Sequence, residues 1–154
     1  MFQGHSNTNL DEKGRIIIPA KFRKHILPEA NSMLNVTLGR DKCIWLFPSY
    51  EWQNVLQTLN SVNPYTKDEV AMKRQMLFHA DELPIDSQHR ILIPQDLLQL
   101  VNIKKEVLLL GQLERIELWN PKAYDDYLSG SADSYEDVMQ KVMSGLDSNN
   151  NPQA

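Results

Sequence analysis

A ten-residue frame occurs twice in this chain, and it limits the possible folds more than any other feature. Residues 10–19 read LDEKGRIIIP and residues 85–94 read IDSQHRILIP, so both copies share the pattern apolar-Asp-x-x-x-Arg-apolar-apolar-apolar-Pro. A second pair of segments, 38–47 and 110–119, follows the frames in the same order. A repeat of this length indicates one supersecondary unit used twice, and two such units can cover each other's apolar faces.

The pattern of apolar residues and turn residues predicts an α+β, β-rich fold built from these two units. Each Asp-x-x-x-Arg frame is expected to form a hairpin, with two short strands joined by a polar turn. The predicted strands are 7–10, 15–18, 33–38 and 43–47, then 82–85, 90–93, 106–110 and 116–119. The predicted helices are 20–26, a helix capped by Ser49 and running through Leu59, a helix capped by Thr66 and ending near His79, then 95–100, 121–128 and 129–146.

The chain is therefore divided into two units and three further segments. The first unit covers residues 1–62 and the second covers 81–128, with a helical connector at 63–80. A C-terminal helix is expected at 129–146, and the Asn/Ser-rich segment 147–154 is expected to be disordered. Since a unit of about 75 residues would be marginally stable alone, we expect the two units to pack together.

The distribution of charge is more informative than its total. The net charge is −4, but residues 1–78 carry a net charge of +3 and residues 79–154 carry −7. Residues 13–25 contain no acidic side chain and five basic ones: Lys13, Arg15, Lys21, Arg23 and Lys24. A local basic patch indicates an anionic partner such as nucleic acid. For Lys21 and Lys24, the solvated face of a helix is an equally good interpretation.

Several other classes of function receive no support from the sequence. Cys43 is the only cysteine and lies in an apolar run, which favours a buried thiol. The four histidines have no metal-ligand spacing, so neither a metal nor another cofactor is expected. Apolar stretches are too short to span a membrane, and the N-terminus does not read as a signal peptide, so we expect a cytoplasmic protein without a small-molecule substrate.

The two frame aspartates allow one enzymatic alternative. Asp11 and Asp86 could meet across a pseudo-twofold axis and share a proton, as in an aspartate-dyad hydrolase. Each aspartate is, however, followed four residues later by an arginine across a turn, which favours an ionised, hydrogen-bonded carboxylate. We therefore expect Asp11, Gly14, Asp86 and His89 to be structural turn residues and no residue to be catalytic.

DNA binding by a two-stranded ribbon is the alternative that uses the basic residues. Such a ribbon fits the major groove, and its turn can carry Lys13 and Arg15 in one copy and Arg90 in the other to phosphates and base edges. Arg23 and Lys24 could flank them on the DNA backbone. A purely structural role explains the pattern almost as well. In that case Arg15 and Arg90 form salt bridges with the frame aspartates and only stabilise the turns.

The segment 11–23 closely resembles the N-terminal segment of AbrB-type transition-state regulators. The double frame about 75 residues apart, the MFxG start and the WLFP run followed by Trp52 resemble the MraZ family of bacterial regulators. The resemblance implies a pseudo-dimeric, swapped-hairpin β-barrel with peripheral helices, and double-stranded DNA as partner. It further implies DNA contacts by Arg15, Arg23, Lys24 and Arg90, binding to direct repeats in the promoter of a division and cell-wall gene cluster, a nucleoid location, and assembly into a homo-oligomeric ring.

The second copy departs from the pattern of this resemblance. His89 stands where glycine is usual, at a cost of about 1 kcal/mol if its backbone is left-handed. The helix after Pro94 reads QDLLQ, where basic residues are common. We therefore expect Arg15 to contribute more to DNA binding than Arg90. A ring-forming interaction module with incidental DNA contacts is the other function class that remains open.

Overall fold

The computed structural model describes residues 1–149 and has an α+β fold, as predicted. Its strands are β1 His5–Asn9, β2 Arg15–Ile17, β3 Met33–Leu38, β4 Ile44–Pro48, β5 Asp81–Pro84, β6 Arg90–Leu92, β7 Glu106–Gly111 and β8 Ile116–Trp119. Its helices are α1 Ala20–Arg23, α2 Ser49–Asn60, α3 Lys67–Phe78, α4 Gln95–Leu100, α5 Pro121–Ser129 and α6 Tyr135–Asn149, with a short 3-10 turn at Pro28–Ala30. Most predicted bounds are confirmed to within two residues, but α1 is shorter and Lys24 lies at its C-cap.

The predicted pairing of the strands on either side of each frame turn is wrong. β1 does not pair with β2: it pairs with β7 of the second copy, and β2 pairs with β6. Likewise β5 pairs with β3 of the first copy. The sequence pattern locates the turns correctly, but it cannot say which strand receives the backbone hydrogen bonds on either side of them.

The strand order shows how closely the two copies correspond. One sheet has six antiparallel strands in the order β1-β7-β8-β4-β3-β5, and a separate ribbon consists of β2 and β6. Replacing each strand of this sheet by its counterpart in the other copy reverses the order. The copies are therefore related by an approximate twofold axis that passes between β4 and β8 and between β2 and β6. The six-stranded sheet is not closed, so the hydrogen bonding does not describe a closed barrel.

One cluster of buried apolar side chains joins the sheet and the ribbon. Ile16 and Ile18 of the first frame and Ile91 and Ile93 of the second are at most 3% exposed and belong to this cluster. Burying an isoleucine side chain contributes about 1.5–3 kcal/mol. A one-residue slip of β2 would expose Ile16 and Ile18 and bury Ile17, so the core fixes the register of the ribbon.

The C-terminal part of the chain differs from its prediction at both ends. Residues 122–149 belong to a second compact unit. Helix α6 begins later than predicted, because the Ser134 hydroxyl accepts the Asp137 backbone N–H at 3.1 Å and so caps the helix at that point. It also continues through Asn149, with the Ser148 hydroxyl donating to the Ser144 carbonyl, so residues 147–149 are helical and not disordered. The remainder of the predicted tail lies outside the described residues.

Candidate nucleic-acid interface

The first frame turn is organised by Asp11. Its Oδ1 accepts the backbone N–H groups of Lys13 at 2.9 Å and Arg15 at 2.8 Å, and its Oδ2 accepts Arg15 Nε at 2.6 Å. A backbone bond from Gly14 N to the Asp11 carbonyl closes the turn at 3.1 Å. One carboxylate therefore fixes both the path of the turn and the orientation of the Arg15 guanidinium.

The second frame turn repeats this arrangement. Asp86 Oδ1 accepts the backbone N–H groups of Gln88 at 2.9 Å and Arg90 at 2.8 Å, and Oδ2 accepts Arg90 Nε at 2.8 Å. The His89 N–H closes the turn on the Asp86 carbonyl at 2.9 Å. The same four bonds thus hold an arginine in both copies, although the residues between the aspartate and the arginine differ.

Both aspartates are stabilised as carboxylates. Hydrogen bonds from the backbone N–H and guanidinium of Arg15 hold the pKa of Asp11 below its ordinary value, and Arg90 does the same for the pKa of Asp86. Each carboxylate is occupied in its own turn, at opposite ends of the antiparallel ribbon. This arrangement contradicts the alternative of an aspartate dyad that shares a proton.

The turns differ at the residue before the arginine. Gly14 has a φ of 83° and His89 has a φ of 63°, so both adopt the left-handed conformation. Glycine reaches this region without steric cost, whereas a side chain is strained there. The condition under which a side chain at position 89 is costly, a left-handed backbone, is therefore met.

The outer face of the ribbon places the two arginines together with two exposed apolar side chains. Arg15 lies opposite Leu92 and Ile17 lies opposite Arg90, while Ile16 and Ile91 between them are buried. Ile17 is 52% exposed and Leu92 is 55% exposed. Neither residue is among the predicted site residues, but strict alternation along the Ile-Ile-Ile run, with the first and third side chains inward, could have identified Ile17 as outward-facing.

Pairing in the ribbon also places the helix that follows each frame beside the frame turn of the other copy. Ile18 N donates to the His89 carbonyl at 2.9 Å, so α1, which follows β2, begins beside the second frame turn. Ile93 N donates to the Gly14 carbonyl at 3.1 Å, so α4 begins beside the first. A Cβ on Gly14 would lie 3.8 Å from Leu98 of α4. Each frame turn is therefore combined with the helix of the other copy.

The predicted basic residues are not all in one place. Lys13 is exposed in the first turn, whereas Arg23 and Lys24, at the end of α1, belong to the side of the second turn. Lys21 donates from Nζ to the His5 carbonyl at 2.9 Å and thus lies against the start of β1. The basic residues of the first frame turn and those of α1 therefore do not form the single surface that the sequence had suggested.

No other chemistry is evident in the part of the chain that the structure describes. Within residues 1–149, no group of three or more His, Cys, Asp or Glu side chains could hold a metal ion. No helix in this range is long and apolar enough to cross a membrane. Cys43 is buried, and burial raises the pKa of its thiol.

Comparison with known proteins decides the family. A family model described as "MraZ protein, putative antitoxin-like" matches residues 1–75 and again residues 76–144. The chain belongs to the MraZ family. It is 38% identical over 138 residues to the transcriptional regulator MraZ of Halothermothrix orenii, and the aligned region covers 90% of this chain and 94% of that protein. It is 36% identical over 142 residues to the MraZ of Clostridium tetani, covering 92% and 96%.

These relatives bear on the question of catalysis. Both MraZ proteins are named transcriptional regulators, and the family is not enzymatic. The prediction that the chain is not an enzyme is therefore confirmed by family membership. The two family-model matches together cover both frames, which accords with the repeat found in the sequence.

Proposed function

We propose that this protein is a sequence-specific, DNA-binding transcriptional regulator whose main DNA contact is the outer face of the β2–β6 ribbon. The observation that carries the proposal is the identical, aspartate-held geometry of Arg15 and Arg90 on that face. The approximate twofold symmetry of the ribbon brings these two held guanidinium groups onto one face, where they form a single surface. The names of the MraZ relatives support the same function.

The geometry leaves both arginines able to read bases. Each donates Nε to its aspartate, and among residues 1–149 their terminal amino groups make no further hydrogen bond. Those amino groups can bind O6 and N7 of guanine together, and a two-stranded ribbon fits the major groove, which is about 12 Å wide. At 25% and 24% exposed, the side chains are already positioned, so little conformational entropy is lost on binding.

The remaining basic residues are assigned to the DNA backbone. Lys13 would contact phosphate beside the first turn, and Arg23 and Lys24 would do so beside the second, with Lys21 at the margin. Phosphate contacts fix the register of the protein on the duplex but carry little sequence information. Base recognition is therefore assigned to the ribbon and orientation to these four side chains.

The finer biological context follows from the resemblance. We infer binding to direct repeats in a promoter, that of its own division and cell-wall gene cluster, by a homo-oligomeric ring in the cytoplasm and at the nucleoid. The exchange of β1 and β5 between the copies supports the swapped-hairpin part of the expected barrel. The core shared by the sheet and the ribbon supports its barrel-like enclosure.

A gel-shift titration with the region upstream of its own gene tests the proposal. Arg15→Ala and Arg90→Ala should each keep the fold and weaken specific binding by about 1–3 kcal/mol for each lost base contact. Arg40→Ala is the matched control, because Arg40 is 87% exposed and lies outside the ribbon. Unchanged affinity of both ribbon variants, with folding verified by circular dichroism, would contradict the proposal.

A ring-forming interaction module is the second candidate, favoured by the exposed apolar residues of α6. Val138, Met139 and Val142 are 41%, 41% and 54% exposed, and such a stripe is typical of a protein contact. The dependence of DNA affinity on salt concentration distinguishes the two functions. A DNA reader loses affinity with a log–log slope of about −0.9 per phosphate contact, whereas assembly of an interaction module should not depend on DNA.

A further inference from the structure

The two exposed apolar residues of the ribbon lie outside the buried core. Ile17 and Leu92 occupy equivalent positions in the two copies, and their outward direction keeps them out of the core that Ile16 and Ile91 form. A single exposed apolar side chain on a protein surface is ordinary. Here the same exposure occurs twice on the face that also carries the two frame arginines, with each apolar side chain opposite one arginine.

We propose that Ile17 and Leu92 contact the C5-methyl groups of thymines in the major groove and so specify thymine near the guanines read by Arg15 and Arg90. This inference rests on the proposed function, because it assigns two specificity-determining residues to the same DNA interface. The chemical basis is that the thymine methyl is the one apolar group that the major groove presents, and aliphatic side chains recognise it by contact.

The spacing of the ribbon agrees with the spacing of bases. Residues two apart on a strand, such as Arg15 and Ile17, are separated by about 6.7 Å. Bases along one DNA strand are about 3.4 Å apart, so this separation equals roughly two base steps. Residues directly opposite each other in an antiparallel pair have Cβ atoms about 5 Å apart. A guanine and a thymine within two steps of each other can therefore be contacted from one half of the ribbon.

The contribution expected from this contact follows from the size of a methyl group. Burying one methyl or methylene group contributes about 0.8 kcal/mol, which corresponds to an approximately four-fold change in affinity. Two such contacts should give a change of about fifteen-fold. Removal of the methyl from the DNA should therefore weaken binding only when the aliphatic side chains are present.

The test removes the methyl groups from the DNA without knowledge of the operator. The fragment upstream of its own gene is amplified with dTTP or with dUTP, which replaces every thymine outside the primers by uracil. Affinities for both fragments are measured for the wild type, for the Ile17→Ala/Leu92→Ala double variant and for Leu113→Ala, which alters a leucine of matched, 50% exposure outside the ribbon.

The expected result is a coupling between the two changes. The wild type and Leu113→Ala should bind the uracil fragment more weakly than the thymine fragment, by about fifteen-fold for each chain that contacts the DNA. The double variant should bind both fragments equally, at about the affinity of the wild type for uracil DNA. Binding of uracil and thymine DNA by the wild type with equal affinity would overturn the inference and leave the proposed function intact.

Two other outcomes are equally decisive. If the double variant changes the mass of the oligomer in light scattering but keeps its sensitivity to uracil, then Ile17 and Leu92 pack against protein and the inference is wrong. If the wild type binds neither the upstream fragment nor a pool of random duplexes at low salt, then the proposed function fails and the inference fails with it.

Discussion

Trp45 donates its indole N–H to Glu117 Oε2 at 2.8 Å, and the two residues lie directly opposite each other where β4 meets β8. They also occupy the same position in the two copies of the repeat. At an approximate twofold axis, equivalent positions face each other, so an exact repeat would place two tryptophans or two glutamates in contact. Since like charges directly opposite each other destabilise a sheet, the repeat departs from identity at this point to give a complementary pair.

Removal of this pair should weaken the junction between the copies. Glu117 also accepts the indole N–H of Trp119 at 3.1 Å and a hydrogen bond from Arg115 Nη2 at 3.5 Å, so Glu117→Ala removes this acceptor from three donors. We expect a loss of about 2–3 kcal/mol in the free energy of unfolding, and about 1 kcal/mol for Trp45→Phe, which removes one donor and keeps a ring. Urea denaturation measures both, with Glu106→Ala as control, because Glu106 is an exposed strand glutamate outside this group of side chains. Full stability of Glu117→Ala would contradict the pairing at the axis.

The sequence predicted local structure well because the information for it is local. The alternation of Ile16, Ile17 and Ile18, the prolines that end both frames and the polar turns between strands each act within a few residues. Pairing between β1 and β7, or between β2 and β6, depends on contacts about 75 or more residues apart, which a single sequence does not reveal. This is why the turns were located correctly and the hairpins were not.

The repeat extends further along the chain than the frames suggest. Residues 66–73 read TKDEVAMK at the start of α3, and residues 134–141 read SYEDVMQK at the start of α6. Both segments have a hydroxyl residue before two acidic residues, then valine and lysine at matching positions. This match is hard to see in the sequence because only a few of the residues are identical. It indicates that α6 is the counterpart of α3, and it agrees with a second family-model match that ends at residue 144.

The two frame turns were predicted better than the grouping of the basic residues around them. Asp11, Arg15, Asp86 and Arg90 could be identified because the spacing of each pair is fixed by one local turn. The association of α1 with the second turn depends on the antiparallel pairing of β2 and β6, so it could not be seen in the sequence. The grouping of the basic residues by copy was wrong for this reason.

The aspartates make stability depend on pH in a defined direction. The pKa values of Asp11 and Asp86 are lowered from 3.8 in the folded protein, so their contribution is fully present above that value. It is lost as the pH falls through the lowered folded pKa values. Asp11→Asn/Asp86→Asn should therefore be less stable than the wild type at neutral pH, and the difference should shrink as the pH falls below about 4, where unfolded aspartate titrates.

Thermal unfolding of both proteins from strongly acidic to neutral pH checks this prediction. The double variant should also bind DNA more weakly at neutral pH, because both arginines lose the carboxylate that positions them. The Asp41→Asn variant is the control, since Asp41 lies in the β3–β4 turn away from the ribbon. A difference in stability that is independent of pH would mean that the carboxylates do not act through their charge.

The left-handed residues of the two frame turns should respond to substitution with opposite signs. His89→Gly removes the strain at a φ of 63° and should stabilise the protein by about 0.5–1 kcal/mol. Gly14→Ala introduces strain at a φ of 83° and should destabilise it by about 1 kcal/mol. The added Cβ would meet Leu98 at an ordinary distance of 3.8 Å, so the cost is conformational and not a steric clash. Chemical denaturation of both variants should show the two signs, and destabilisation by His89→Gly would indicate that the imidazole makes a stabilising contact.

The exchange of helices changes what is expected of the basic residues. Arg23 and Lys24 belong to the side of Arg90, so the charge split no longer favours Arg15 as the stronger contact. Arg15→Ala and Arg90→Ala should weaken binding by similar amounts, within a factor of a few. In double-mutant cycles, Arg90→Ala should couple to Lys24→Ala by about 0.5 kcal/mol or more, whereas Arg15→Ala and Lys24→Ala should be nearly additive. Coupling of Lys24→Ala to Arg15→Ala, with additivity to Arg90→Ala, would show that Lys24 acts together with the first turn.

Assembly into an oligomer should determine how tightly the protein binds DNA. Under the proposed function, one chain offers two arginines for base contacts and few phosphate contacts, which is a small surface against the large excess of competing genomic sites. Several chains in a ring would place such surfaces at a fixed spacing and gain about 10²–10⁴ in avidity, but only on DNA whose repeats match that spacing. The oligomer should therefore bind two or three tandem repeats far more tightly than one at the same salt concentration. Titration against one, two and three copies measures this gain, and Arg40→Ala should leave it unchanged. Equal affinity per site on all three probes, or a monomer in light scattering, would show that regulation does not depend on avidity.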